Sequence, residues 1–311
     1  MEIGHWSLKF LHMPTIHEPA LLKEILTYFD PQSGENFIDC TFGGGGHALA
    51  ILDRIKPQGK LLGIDWDQSV IQDSRNDNLV LASGNYKNLK NIYEHASDNY
   101  NLGEISGILL DLGLSSDQLE DEARGFGFDS VGKLDMRFDR NSGAKTAAEI
   151  LMASSEQGLV KIFEDYGEEP LARQIAKAIV LKRQKGEDIQ SAEILVQLIS
   201  DIYRRRFHRP SKRNPATRVM QALRIAVNDE FGNIKSTLPQ AVEILRSGGR
   251  LAMISFHSGE DRIVKNYFRD WSKGDHQKLK IITKKPITAS AEEISRNPRS
   301  RSAKLRVAEK I

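Results

Sequence analysis

Four consecutive glycines, Gly43, Gly44, Gly45 and Gly46, stand inside NFIDCTFGGGGHALAIL (residues 36–52), between a short apolar run and a run with helical spacing. A loop of this kind lets a ligand lie against the main chain, because glycine has no Cβ and enters the left-handed region freely. Three ligand classes use such a loop: nucleoside triphosphates, dinucleotides and S-adenosylmethionine. Which one applies depends on the residues around it.

The chain around the loop alternates. NFIDC, KLLGID, LVLAS and ISGILLDLG read as strands, HALAILDRI as a helix, and Gly, Asn or Asp bounds each of them. Alternation of this type implies βαβ units and a parallel sheet covered by helices. After Leu112 the pattern changes: AAEILMASSEQGLVKIFEDYG, PLARQIAKAIVLKRQ and SAEILVQLISDIYRRRF all carry apolar residues at helical spacing. Residues 116–214 therefore read as a helical insertion, and residues 1–115 and 215–311 as the two halves of one α/β domain. The second half opens with a helix that Asn214 caps, Pro215 starts and Gly232 ends. A helix over residues 238–246, a Gly248-Gly249 turn, the strand RLAMISF and a helix starting near Gly259 follow.

Composition narrows the field further. With 311 residues, 40% of them apolar and 28% charged, the chain fits one large globular domain or two smaller ones. Cys40 is the only cysteine, so no intrachain disulfide and no thiolate metal cage can form, and a reducing, cytoplasmic compartment is expected. Residues 1–22 read as a short, loosely ordered lead without a targeting pattern, and no window approaches the ~18 apolar residues of a membrane span. The net charge of +2 is nearly balanced, yet RRRFHRPSKR (residues 204–213) holds six Lys or Arg and RNPRSRSAKLR (residues 296–306) holds five. Such clusters suit phosphate neutralisation, although a charge run is often only a solvated face.

The residues flanking the glycines discriminate among the ligands. HALA follows them, without the lysine of G-x-x-x-x-G-K-[ST], which disfavours a triphosphate. The pattern Gly43-x-Gly45-x-x-Ala48, with Asp65 about 20 residues on, satisfies the dinucleotide fingerprint. Asp39 argues against it, because a carboxylate beside a pyrophosphate has to be desolvated next to a like charge. A sulfonium with an ammonium suits an acidic strand end. Asp65 serves either ligand by accepting from ribose hydroxyls, and helix capping is the plainer role open to both aspartates.

Ten ordered blocks carry a resemblance: HEPALLKEIL, DCTFGGGGHALAIL, LLGIDWDQSVI, GILLDLGLSSDQLED, RGFGF, LDMRFD, YGEE, NPATRVMQALRIAVNDE, GGRLAMISFHSGEDRIVK and NPRSRSAKLRVAEK. Together, over residues 17–310, they resemble the bacterial 16S rRNA (cytosine-N4)-methyltransferase family, also called MraW or RsmH. That resemblance implies a class I, Rossmann-like α/β methyltransferase fold with a helical inserted domain engaged in RNA recognition. It also implies S-adenosylmethionine as methyl donor and, as acceptor, the exocyclic N4 of a cytidine in the decoding centre of the small-subunit RNA. Carried over, its cofactor contacts are Gly45, Gly46, His47, Asp65, Tyr86, Asp111 and Gln118. The small ribosomal subunit is the expected partner, with a homodimer open and neither metal nor membrane called for.

Methyl transfer from a sulfonium is an in-line displacement, and the cytosine amine is a poor nucleophile. Acceptors aimed at its hydrogens would help, and Asp111 at a strand end is the catalytic candidate, with cofactor binding alone as the plainer role. Many amino-methyltransferases place [DNS]-P-P-[YFW] here, whereas this chain has Asp111-Leu112-Gly113-Leu114. A flipped base then needs other support, and Phe126, Phe128, Arg137 and His257 are candidates, with core packing as the alternative for the phenylalanines. SFHSGED lacks the companions of a metal or hydrolase site, and Gly259 replaces the leucine usual in SFHSLEDR, which leaves the packing of the next helix open. Two further readings keep parts of the pattern: an NAD-dependent oxidoreductase, and a non-catalytic RNA-binding factor.

Overall fold

The continuous apolar runs become a sheet buried on both faces, as parallel strands require. The computed structural model describes residues 19–68, 77–114, 118–119, 121–130, 132–208, 214–274 and 277–311. Five parallel strands form its larger part: β1 (Asn36–Asp39), β2 (Leu61–Asp65), β3 (Leu79–Ser83), β4 (Ile105–Asp111) and β5 (Leu245–Ser255). β6 (Leu279–Ile281), β7 (Ile287–Thr288) and β8 (Lys304–Lys310) complete an eight-stranded sheet in the order β3-β2-β1-β4-β5-β8-β6, with β7 also on β8. β8 runs antiparallel to β5, so its first residue, Lys304, lies opposite Ser255. Strand order reverses between β1 and β4. Open α/β sheets bind ligands at such a switch point, outside the carboxyl ends of the strands.

Alternation sorts the side chains. Ile108 and Leu110 of β4, with Leu251 and Met253 of β5, pack beneath α3 (Leu89–Tyr100), α9 (Glu230–Ile244) and α10 (Ser258–Trp271). Leu109, Ala252 and Ile254 face the other way, against α1 (Leu22–Phe29) and α2 (Gly46–Ile55). A third core belongs to α4 (Ala147–Ala153), α5 (Glu156–Asp165), α6 (Ala172–Gln184), α7 (Ala192–Phe207) and α8 (Thr217–Asn228), where Leu151, Phe163, Ile175, Leu195 and Leu223 meet. Among the described residues no helix is long and apolar enough to cross a membrane.

Several expectations need correction. The run AAEILMASSEQGLVKIFEDYG forms two helices, because Ser155 Oγ accepts from Gly158 N at 3.1 Å and starts α5 afresh. Asn214 does precede a helix, its Oδ1 accepting from Ala216 N at 2.9 Å, but α8 ends at Asn228 on a left-handed Asp229 (φ 48°). Gly232 lies inside α9, where an added Cβ would come 2.3 Å from an Asp229 carboxyl oxygen, and α9 takes in the helix expected over 238–246 only as far as Ile244, β5 starting at Leu245. Val219, Met220 and Leu223 of α8 are buried in the helical core, which thus reaches past residue 214. At the other end of the sequence the basic block at 296–306 is only in part a solvated face, since it enters β8. Arg306 lies within β8, buried, its Nε donating to Asp261 Oδ1 at 2.6 Å. The lead is ordered in part as well: Ala20 and Leu21 are buried, and Leu21 N donates to Glu293 Oε1 at 2.8 Å. Residues 1–18 and 209–213 lie outside the described part of the chain.

Candidate functional site

The glycine loop joins the end of β1 to α2. Gly43 (φ 48°) and Gly45 (φ 75°) are left-handed, and Gly45 is the N-cap residue of α2. Gly46 opens the helix with its Cα against Pro19, whose Cγ would stand 3.0 Å from an added Cβ. Asp65, at the end of β2, holds the loop in place: its Oδ2 accepts from Gly43 N at 2.7 Å and its Oδ1 from Asp67 N at 2.8 Å. It caps no helix. Burial raises its pKa.

Asp39 is 1% exposed. Its Oδ1 accepts from Thr41 N at 3.0 Å and from Thr41 Oγ1 at 3.2 Å, while its Oδ2 is buried without a hydrogen-bond partner. Burial, opposed by the Thr41 bonds, pushes this carboxyl up to about 7. Asp111, at the end of the neighbouring β4, has a partnerless buried Oδ1 of its own. Burial, then the charges of Asp39 and Glu260, hold its pKa well above the carboxylate range. Asp111 Oδ2 lies 3.6 Å from Nδ1 of His47, and His47 Nε2 lies 2.9 Å from Ala20 O. Burial pushes the His47 imidazole down to about 4, so it is neutral near pH 7.

A second group of buried acids adjoins the first. Glu230, 3% exposed, takes Arg224 Nε at 2.8 Å and Nη2 at 2.9 Å. Glu260, 1% exposed, accepts from Phe256 N at 2.8 Å and closes a capping box with His257 at the start of α10. Burial pushes Glu260 up, but His257, Arg224 and the Phe256 amide outweigh it and hold the carboxyl low. Tyr86 opens the turn after β3. Burial, with Glu230 and Glu260 close by, raises its phenol. Carboxyl and ring atoms of Glu230, His257 and Glu260 lie within 4.8 Å of one another, a spacing a metal ion could use. Arg224 already occupies both oxygens of Glu230, and a cation there would face the guanidinium.

The structure thus gathers Asp39, His47 and Asp111, ties Asp65 to the glycines, and turns Tyr86 towards Glu230 and Glu260. Gln118 is half-buried, and its neighbours 115–117 and 120 lie outside the described residues. The proposed base supports fare differently. Phe126 is buried in the helical core, Phe128 packs against that core, and Arg137 Nε is bound to Asp135 Oδ1 at 2.7 Å. His257 is used as the α10 cap. Gly259 is answered by Phe231, whose Cζ would lie 2.5 Å from an added Cβ; the ring fills the place of the usual leucine. The Arg224–Glu230 pair escaped the sequence reading, because the two residues lie on successive helices and only the left-handed turn at Asp229 brings them together. Asp67 also escaped it: its carboxylate pairs with Arg124 and fastens the segment around residue 124 to the end of β2.

Two buried carboxyl oxygens that no described residue satisfies, beside a glycine loop at a switch point, fit a small cationic ligand. Fold and site together define a Rossmann-like methyltransferase that uses S-adenosylmethionine. The sequence pattern of the MraW methylase family matches residues 14–311. A protein of Thermomicrobium roseum named ribosomal RNA small subunit methyltransferase H is 45% identical, over 96% of this chain and 95% of its own. One of the same name from Heliobacterium mobile is 42% identical over 95% and 99%. The chain belongs to the MraW methylase family.

Proposed function

We propose that this enzyme methylates the exocyclic N4 of a cytidine in the decoding centre of 16S rRNA, within the small ribosomal subunit. The observation that carries the reading is the open carboxyl pair, Asp39 and Asp111, at the switch point of a chain whose relatives are named for small-subunit RNA methylation. S-adenosylmethionine supplies the methyl group. Gly45 and Gly46 bring main-chain amides to its methionine part, His47 supports Asp111, Asp65 receives the ribose, and Tyr86 and Gln118 flank the remainder. Asp111, at the end of β4, is also given the role of acceptor for the amine hydrogens.

RNA contact falls to the helical unit and to the carboxyl edge. Arg204, Arg205 and Arg206 are exposed at the end of α7 beside the exposed Phe207, a pairing of charge and ring that suits single-stranded RNA. Lys284, Lys285, Arg299 and Arg301 are exposed around β7 and the entry to β8, next to the sheet edge that carries the site. Arg306, bound to Asp261, takes no part. The cytoplasmic location expected from the lone cysteine fits this substrate.

The test is to incubate the protein with methyl-labelled S-adenosylmethionine and unmethylated small subunits, digest the RNA and identify the labelled nucleoside by mass spectrometry. Label in N4-methylcytidine is expected. Label in another nucleoside would move the acceptor, and bound cofactor without label would favour a non-catalytic RNA-binding role.

A further inference from the structure

Asp39 and Asp111 are joined through one hydroxyl. Thr41 Oγ1 accepts from Asp111 N at 2.7 Å and donates to Asp39 Oδ1 at 3.2 Å. The register that sets Asp39 beside Leu109 puts Asp111 two residues further along β4, so both carboxyls lie on the same edge. The outer oxygens, Asp39 Oδ2 and Asp111 Oδ1, are left buried and without partners.

His47 reports where a proton must be. The Ala20 carbonyl can only accept, so His47 Nε2, 2.9 Å away, carries the ring hydrogen. Nδ1 then presents a lone pair to Asp111 Oδ2 at 3.6 Å. A lone pair facing a carboxylate is repulsive, whereas one facing a protonated carboxyl is not. The surroundings agree: Asp65 faces Asp39 from β2, Glu260 faces Asp111 from the start of α10, and Cys40 follows Asp39 just past the end of β1. Tyr86, Glu230, Arg224 and His257 stand around Glu260, with Arg224 held by Glu230. Among the described residues neither Asp39 nor Asp111 is paired with a lysine or arginine. Burial and mutual repulsion therefore act on the pair without an internal counter-charge.

We propose that the Asp39–Asp111 pair keeps a proton until a cationic ligand arrives, releases it to solvent on binding, and so distinguishes the methyl donor from the demethylated product by charge. This rests on the cofactor reading above. The donor carries a sulfonium, an ammonium and a carboxylate, and the product lacks the sulfonium charge. A pair ionised by the donor is left with excess negative charge once the methyl group has gone. It takes a proton back from solvent as the product leaves, which weakens the hold on product. One proton out and one proton in close the cycle. The proton lost by the methylated amine goes separately to water.

Isothermal titration calorimetry of the full chain at pH 7, in two buffers of different ionisation enthalpy and without RNA, reads the exchange directly. Titration with S-adenosylmethionine is expected to release close to one proton per site, and S-adenosylhomocysteine distinctly less. Donor affinity should rise by up to about tenfold per pH unit while the pair titrates, with a flatter profile for product. Asp39→Asn, checked for its fold by circular dichroism, should reduce both the release and the donor-to-product affinity ratio. Donor binding with no proton released in the wild type would overturn the proposal and leave the cofactor reading standing. Absence of binding by either ligand would remove the cofactor reading itself.

Discussion

Two groups of buried acids lie side by side at the carboxyl edge of the sheet, and the chain treats them in opposite ways. Glu230 and Glu260 are met in full, one by the Arg224 fork and the other by peptide amides and a histidine cap. Asp39 and Asp111 each keep a buried oxygen that no described residue binds. Desolvating a carboxylate is costly in both places. Where the chain itself supplies the compensation, the acids act as structural fasteners between α8, α9 and α10. Where it does not, the unmet demand is available to a ligand.

Substitutions that sharpen this contrast differ in size. Asp111→Ala should leave the fold intact and lower methyl transfer by more than about 100-fold, or roughly 3 kcal/mol of transition-state stabilisation, in single-turnover assays. Wild-type turnover would remove Asp111 from the chemistry. Arg224→Ala breaks the satisfied group, leaves Glu230 buried and unpaired, and should cost about 3–5 kcal/mol in urea unfolding. A cost under about 1 kcal/mol would mean that Glu230 is no fastener.

Asp39→Asn acts on the open group, and its sign can be worked out. The folded carboxyl titrates near 7, against 3.8 for its ordinary value, so the folded state binds the extra proton between those limits. Its contribution to stability is therefore intact below about pH 4, falls as pH rises, and is lost once pH passes 7. The asparagine does not titrate, so the ligand-free variant should gain on wild type by on the order of 2–4 kcal/mol at pH 8 and by little at pH 4. Paired thermal melts at the two pH values check this, and equal gaps would refute it. His47, titrating near 4, tilts both curves alike and cancels in the difference.

The smallest effect tests the corner where α10 starts. Gly259→Leu should cost about 1–3 kcal/mol by overpacking against Phe231. Phe231→Leu in the same chain should recover most of that in a double-mutant cycle. Simple additivity would show that the ring does not occupy the leucine's place.

The sheet was legible wherever its strands were continuous apolar runs. LVLAS is β3 residue for residue, and Asp39, Asp65 and Asp111 fall at the strand ends expected of them. β8 was hidden, because in KLRVAEK charged residues interrupt the run and Arg306 occupies a buried position that only Asp261, distant in sequence, makes tolerable. Gly232 misled for a local reason: Asp229, a non-glycine residue, adopts the left-handed turn between α8 and α9 and releases the glycine for close packing inside the next helix. Within the site the open carboxyls could be anticipated from charge alone. Their partnerless oxygens could not: that of Asp39 is left over because Thr41 takes the other oxygen, and that of Asp111 lies at a strand end whose surroundings come from distant segments.

β4 and β5 lie side by side in the sheet, yet the whole helical core separates them in sequence. Closing so long a loop in an unfolded chain is entropically expensive and slow, and high contact order delays a pairing of this kind. Helices whose contacts are mostly near in sequence collapse sooner, and once assembled they bring the ends of β4 and β5 within reach. The carboxyl edge is then expected among the last parts of the molecule to form. On that order its two acids would stay in water while the rest of the fold assembles, and be desolvated only when enough structure has accumulated to bear the cost.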